Sequence, residues 1–239
     1  MRKLGIIGGA SWSSTALYYD HINRAVAQRL GGLHSARLII ESFDFEDDYA
    51  SFHRRDDWVG ANRVVVAAAE RLKAAGAQGL LLASNTMHKA TEAVRDATGL
   101  PIVDVREVTA ARLVADRRTR VALLGTRFTM TEPFARGPYE AAGLVVQELT
   151  PDWRAEVDRM IYEELAAGRV VRDSQRKLKT LITELAKQKV QAVVLGCTEL
   201  VLAVDVRANI IPVYDTTAIH ARAAVDWMLE DEEQARAAA

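Results

Sequence analysis

The sequence predicts an α/β protein built from two similar halves, each with a parallel sheet. Three observations lead there. Short runs of Leu, Ile and Val alternate with longer amphipathic segments. Those runs are continuously apolar, as strands covered on both faces are. Three landmarks of the first half also return, in the same order, in the second.

The elements follow in order. "KLGIIG" gives a first strand at 3–8, and 14–30 has helical composition. A strand is expected at 37–42. The helix at 57–75 opens on acidic residues, carries an apolar stripe and has Gly76 just past its end, the usual place for a left-handed stop. Strands at 79–83 and 101–104 follow, then a helix at 105–115. The second half offers strands at 121–125, 144–148, 192–196 and 211–214, with helices at 153–167, 173–189 and 216–229. The tail "EDEEQARAAA" reads as a fraying helix end.

The repeat supplies the domain plan. "KLGIIGGAS" parallels "RVALLGTRF", with Gly8 matched to Gly125 at an offset of 117. "AAGAQGLLLASNTMH" parallels "KQKVQAVVLGCTEL", with Ser84 matched to Cys197 at 113. Pro101 and Asp104 match Pro212 and Asp215 at 111. Three matches whose offsets drift by only six residues indicate a duplication. The lobes are expected at 1–115 plus 215–239 and at 116–214. Ligands of open parallel sheets bind beyond the carboxyl ends of the strands. A site is therefore expected in a cleft between the lobes, around Gly8–Ser11, Ser84–Thr86, Gly125–Arg127 and Cys197–Thr198.

Composition narrows the partners. The chain has 239 residues, 31 basic and 32 acidic, with a net charge of −1. The totals carry no electrostatic footprint of nucleic-acid binding. The cluster Arg117, Arg118 and Arg120 fits a solvated surface better than a phosphate site. The single cysteine rules out an intrachain disulfide and fits a reducing cytoplasm. The start reads as a buried strand and not as a signal peptide. No apolar run approaches the roughly 18 residues of a membrane helix. A cytoplasmic location without membrane association is expected.

Cys197 heads the candidates for chemistry. It follows a buried strand and Gly196, and precedes Thr198 and Glu199, which suit a helix start. A thiol at a helix N-terminus has a lowered pKa and acts as base or nucleophile; the alternative is a small buried hydrophobe. Ser84, Asn85 and Thr86 offer hydroxyl, amide and N–H groups to a carboxylate, or cap a helix. Thr126 and Thr198 face the same choice. His88 and His220 are candidates for orienting a polar group, or for plain structural roles. Arg54 and Arg55 present guanidinium groups suited to a carboxylate, or lie in a solvated loop. The aromatic set Trp12, Tyr18, Tyr19, Phe45 and Trp58 is expected to fill the first half's core, with lining the cleft as the alternative. No metal-ligand spacing, Walker loop or G-x-S-x-G elbow is present, and "IIGGAS" lacks the G-x-G-x-x-G spacing of a dinucleotide site.

Taken together, "LGIIGGASWSSTALYYDHIN", "SNTMHKA", "VALLGTRFTM", "VVLGCTELVLAV" and "PVYDTTAIHA" resemble the aspartate/glutamate racemase family from end to end. The resemblance implies two Rossmann-like subdomains and commonly a homodimer. It implies an acidic amino acid as substrate and no need for pyridoxal phosphate or metal. It also implies a mechanism in which one cysteine removes the α-proton and a second reprotonates the opposite face. Cys197 matches the family's second cysteine, whereas the first is replaced by Ser84. By the same resemblance Ser11, Asn85, Thr86, Thr126 and Thr198 bind carboxylate, with Arg54, Arg55 and Arg169 as weaker correspondences. Some relatives carry threonine at the position of Ser84 and favour L-acidic amino acids, so a natural hydroxyl variant and a replaced cysteine both fit. The expected function is a racemase of aspartate or glutamate with Cys197 as its main acid/base. The alternatives are a single-cysteine decarboxylase or isomerase like arylmalonate decarboxylase or maleate isomerase, and a non-catalytic binder of acidic metabolites.

Overall fold

A computed structural model describes residues 1–237. The chain divides into two compact units, 1–104 with 220–239, and 105–219. The first contains β1 (Leu4–Gly8), α1 (Trp12–Leu30), β2 (Leu38–Ser42), α2 (Ser51–Arg54), α3 (Trp58–Ala74), β3 (Gly79–Leu82), α4 (Thr91–Thr98) and β4 (Ile102–Val103). The second contains α5 (Val105–Ala115), β5 (Arg120–Leu124), α6 (Arg127–Thr131), α7 (Pro133–Ala141), β6 (Val145–Gln147), α8 (Pro151–Arg159), α9 (Arg172–Lys187), β7 (Ala192–Leu195) and β8 (Val213–Asp215). The last helix, α10 (Thr216–Ala237), begins in the second unit and continues into the first.

Each unit has one four-stranded parallel sheet of the same topology, ordered β2-β1-β3-β4 and β6-β5-β7-β8. Leu4 pairs with both Leu38 and Gly79, and Val121 with both Val146 and Ala192. All eight strands expected from the apolar runs are present.

Alternation along the central strands builds a core on each face of each sheet, because successive side chains point to opposite sides. In the first unit Leu4, Ile6 and Leu81 pack under α1 and α10, with Tyr18, Ile22 and Val225. Ile7, Leu80 and Leu82 pack under α3 and α4, with Val65, Leu72 and Val94. In the second unit Ala122, Leu124, Val193 and Leu195 join Val157, Leu178 and Leu181 of α8 and α9. Val121, Leu123 and Val194 join Leu113 and Tyr139. Residues of β1, β3, β5 and β7 are therefore buried on both faces, which is why their sequences read as unbroken apolar runs.

Three expectations are corrected. The repeat assigns 105–115 to the first lobe, but Ala110 and Leu113 pack on the β5–β7 face, and α5 belongs to the second unit. The helix expected at 153–167 ends at Arg159, and a π turn (Met160–Glu164) and a 3-10 turn (Leu165–Ala167) complete it. There the buried Glu164 accepts hydrogen bonds from Ser174 Oγ at 2.6 Å and Arg159 Nη1 at 2.8 Å, which hold the chain off the helical path. Among the aromatic set Tyr18 is buried, and Phe45 and Trp58 pack against the core. Trp12 and Tyr19, however, point outward at 79% and 53% exposure.

Candidate active site

The functional candidates gather where strands end. In the first unit, the turn after β1 is set by Gly9, whose φ of +93° is a left-handed value that disfavours a side chain. A Cβ there would lie 2.2 Å from Phe43 N. This close approach lets Phe43 N–H bond Gly8 O at 3.2 Å. Thr15 Oγ1 accepts from Gly9 N–H at 3.0 Å and donates to Ser11 O at 3.1 Å, fixing the same turn. Ser11 caps α1, accepting from Ser14 N–H at 3.4 Å, and its Oγ lies 2.8 Å from Ser13 Oγ.

The turn after β3 carries Ser84, Asn85 and Thr86. It leads into a five-residue 3-10 segment, Thr86–Ala90, and not directly into an α-helix. Asn85 sits at its N-cap position in helical conformation and makes no side-chain cap there, so capping does not account for this buried amide. His88 is buried, and its Nδ1 lies 2.8 Å from Ser84 O. A carbonyl only accepts, so this contact assigns the proton to Nδ1. The contact fixes the Ser84 backbone and leaves the hydroxyl out of the bond. The other ring nitrogen is 4.0 Å from Asp104 Oδ1.

His220 lies 5.7 Å from His88, ring centre to ring centre, and is fully buried. Its Nε2 is 2.7 Å from Val103 O and its Nδ1 is 2.9 Å from Tyr18 OH. Nε2–H therefore donates to the carbonyl and Tyr18 O–H donates to Nδ1, as a neutral imidazole requires. Burial first, and then the neighbouring His88, push its pKa down to about 3. Both histidines thus brace the first unit's strand ends from within, through the carbonyls of Ser84 and Val103.

In the second unit the equivalent turns are built from small residues. Gly196 N–H donates to Leu124 O at 2.6 Å. A Cβ on Gly125 would stand 3.0 Å from Gly196 O, and one on Gly196 would stand 2.7 Å from Thr129 Cγ2. Thr126 caps α6, accepting from Thr129 N–H at 3.4 Å, so Thr126, Thr129 and Gly196 form one packed cluster. Cys197 follows directly. It stands two residues past the end of β7, just as Ser84 stands two past β3, and the sheets share one topology. The repeat therefore places serine and cysteine at equivalent positions of equivalent sheets.

Cys197 Sγ–H donates to Glu199 Oε2 at 2.9 Å, and Thr198 Oγ1–H donates to the same oxygen at 2.8 Å. The thiol pKa is raised well above its ordinary value, by burial first and then by the Glu199 carboxylate, with Asp158 adding to the effect. The sequence-based expectation of a lowered pKa is thus reversed. The segment after Cys197 is a five-residue 3-10 turn, Thr198–Leu202, which brings a carboxylate back to the sulfur. In the sequence Glu199 reads only as a helix starter. The signal for its role is a carboxylate two residues after the cysteine.

The remaining candidates lie on other segments of the chain. Arg54 is exposed and spans Glu46 with bonds of 3.1 and 2.6 Å. Arg55 is exposed, its guanidinium 5.8 Å from the Phe52 ring centre. Arg169 donates to Glu163 O. The second unit holds an open pocket of about 670 Å³, lined by Arg127, Phe128, Arg154, Asp158 and Tyr162 among others. Arg127 N–H donates to Asp158 Oδ1 at 2.6 Å.

The model of the Asp/Glu/hydantoin racemase family matches residues 7–224. The chain belongs to this family. A candidate Asp/Glu racemase from Yersinia pestis is 41% identical, over 96% of this chain and 100% of its own, with a TM-score of 0.90. An aspartate racemase homologue from Pyrococcus horikoshii is 30% identical over 95% and 99%, with a TM-score of 0.82. The aspartate racemase of Picrophilus torridus, 18% identical over 95% and 94% with a TM-score of 0.73, shares the fold. Among the described residues of this racemase-family chain, no helix is long and apolar enough to cross a membrane.

Proposed function

We propose that this protein is a cofactor-independent racemase of acidic amino acids, aspartate or glutamate, with Cys197 as its principal acid/base. The observation that carries the reading is the placement of Cys197 and Ser84 at equivalent strand ends within a racemase-family fold. Racemisation needs the α-proton removed and another delivered from the opposite side. Cys197 performs one of these transfers, and the Ser84 hydroxyl, with water, handles the other. An alkanol is a far weaker acid than a thiol, whose ordinary pKa is about 8.5, so the serine side carries the slower step. Asn85, Thr86, Thr126 and Thr198, buried at the same strand ends, supply amide and hydroxyl groups for the substrate carboxylates, with Ser11 completing the set. Arg54 and Arg55 attract acidic substrate. Arg54 does so by exchanging Glu46 for a substrate carboxylate.

A second reading is favoured by the thiol itself. Cys197 is held as a protonated donor, and a decarboxylase requires one proton donor only, because loss of CO₂ generates the carbanion. Incubation with L- and D-aspartate and glutamate, followed by chiral chromatography, separates the two. Inversion of configuration supports the racemase. Stable configuration together with CO₂ release from a malonate supports the decarboxylase and removes the racemase.

A further inference from the structure

We propose that Glu199 is a positioning residue for Cys197: it orients the thiol, holds its proton in the resting protein and accepts that proton when the thiolate forms. The inference rests on the Cys197 role proposed above. Three features converge on it. The Sγ···Oε2 distance is 2.9 Å, short for a hydrogen bond from sulfur. Thr198 donates to the same oxygen at 2.8 Å, which fixes the carboxylate from a second side. Both donors and the acceptor are three consecutive residues, and the 3-10 turn that starts at Thr198 folds the carboxylate back to the sulfur.

The proton balance is simple. In the resting pair the S–H bond is intact and Glu199 is anionic. Formation of the thiolate breaks S–H and makes O–H on Glu199, with the electron pair left on sulfur and the pair's charge unchanged at −1. The thiolate then takes the α-proton of the amino acid: C–H breaks, S–H re-forms, and the electron pair remains on carbon, spread into the carboxylate. Protonation of that carbon from the other side completes the inversion. Glu199 then returns its proton to solvent, and solvent restores the proton on the Ser84 side. In the opposite direction the resting thiol gives its proton directly to the carbanion. A neutral thiol beside a carboxylate is thus ready as an acid, and becomes a base only by passing its proton to Glu199.

The test needs no substrate, because the chain has a single cysteine and iodoacetamide labels only its thiolate. Alkylation rates against pH, read by intact mass, are measured for the wild type, Glu199→Gln and Glu199→Asp, with circular dichroism to check folding. The wild type should titrate above an ordinary thiol. Glu199→Gln removes the like charge and should lower the midpoint measurably, leaving the part of the elevation that comes from burial. Glu199→Asp keeps the charge and should stay near the wild type. A folded Glu199→Gln protein with an unmoved midpoint overturns the proposal. So does a wild-type midpoint at or below that of an ordinary thiol, a result that stands even where the Gln variant does not fold. A protein inert toward amino acids that still shows the shift loses the proposed function and keeps the pairing. One that racemises without the shift keeps the function and loses the pairing.

Discussion

Replacing Gly9 by alanine inserts a methyl group where the chain leaves no room. The new Cβ would lie 2.2 Å from Phe43 N, 2.4 Å from Phe43 O and 2.8 Å from Phe43 Cα. These are backbone atoms at the end of β2, so no side-chain rotation relieves the clash. The φ of +93° adds a cost of roughly 1–2 kcal/mol for any residue with a Cβ. Forcing the strand ends apart adds roughly 1–3 kcal/mol of overpacking. It also weakens the Phe43 N–H to Gly8 O bond, whose net contribution is about 1 kcal/mol. The sum is about 3–6 kcal/mol, which for a chain of this size lowers Tm by on the order of 10 °C or more. Gly99 provides the control. It caps α4 with φ 65° and ψ 8°, and a Cβ there meets nothing within 4 Å. Gly99→Ala should therefore cost only the backbone term, roughly 1–2 kcal/mol, or about 4 °C. Thermal melts of both variants by circular dichroism make the comparison. Equal losses would refute the steric account of this turn.

Further outcomes follow from the same contacts. His220→Phe removes the partner of both Tyr18 OH and Val103 O in a fully buried site, and should cost about 2–5 kcal/mol in urea unfolding. The folded pKa of His220, about 3, lies below its unfolded value. The unfolded chain therefore binds more protons between about pH 6.5 and 3. Stability from this group is complete above that window and is lost as pH falls through it, by up to about 1.4 kcal/mol per unit. Unfolding series at several pH values should show that slope in the wild type and a shallower one in His220→Phe. Ser84→Cys places a thiol on the slower side and should raise the racemisation rate on the order of 10²-fold, the usual contribution of a well-matched acid or base. An unchanged rate in a folded variant would remove Ser84 from the mechanism.

Much of the fold is legible because β1, β3, β5 and β7 are buried on both faces: runs such as "GLLL" and "AVVL" carry no other meaning. Short segments were harder. Thr86–Ala90 and Thr198–Leu202 are 3-10 turns of five residues, too brief for a hydrophobic period to register. The boundary at Asp104 and Val105 is not legible, because "VREVTAARLVA" shows a helix but not the face on which it packs. At the candidate site, the serine and cysteine stand out because the repeat aligns them. The partner of Cys197 does not, since "TEL" after a cysteine reads as a helix start and only the turn geometry returns Glu199 to the sulfur. The partners of His88 and His220 are not legible in the sequence, because Ser84 O, Val103 O and Tyr18 OH are two backbone carbonyls and a distant tyrosine.

The most direct measurement is α-proton exchange in D₂O, followed by NMR on L- and D-aspartate and glutamate with wild-type protein and with Cys197→Ala. The wild type should exchange the α-proton of at least one acidic amino acid and invert it, and Cys197→Ala should do neither while keeping its fold. Exchange at the wild-type rate in Cys197→Ala, or none in the wild type with any of the four, would contradict the account.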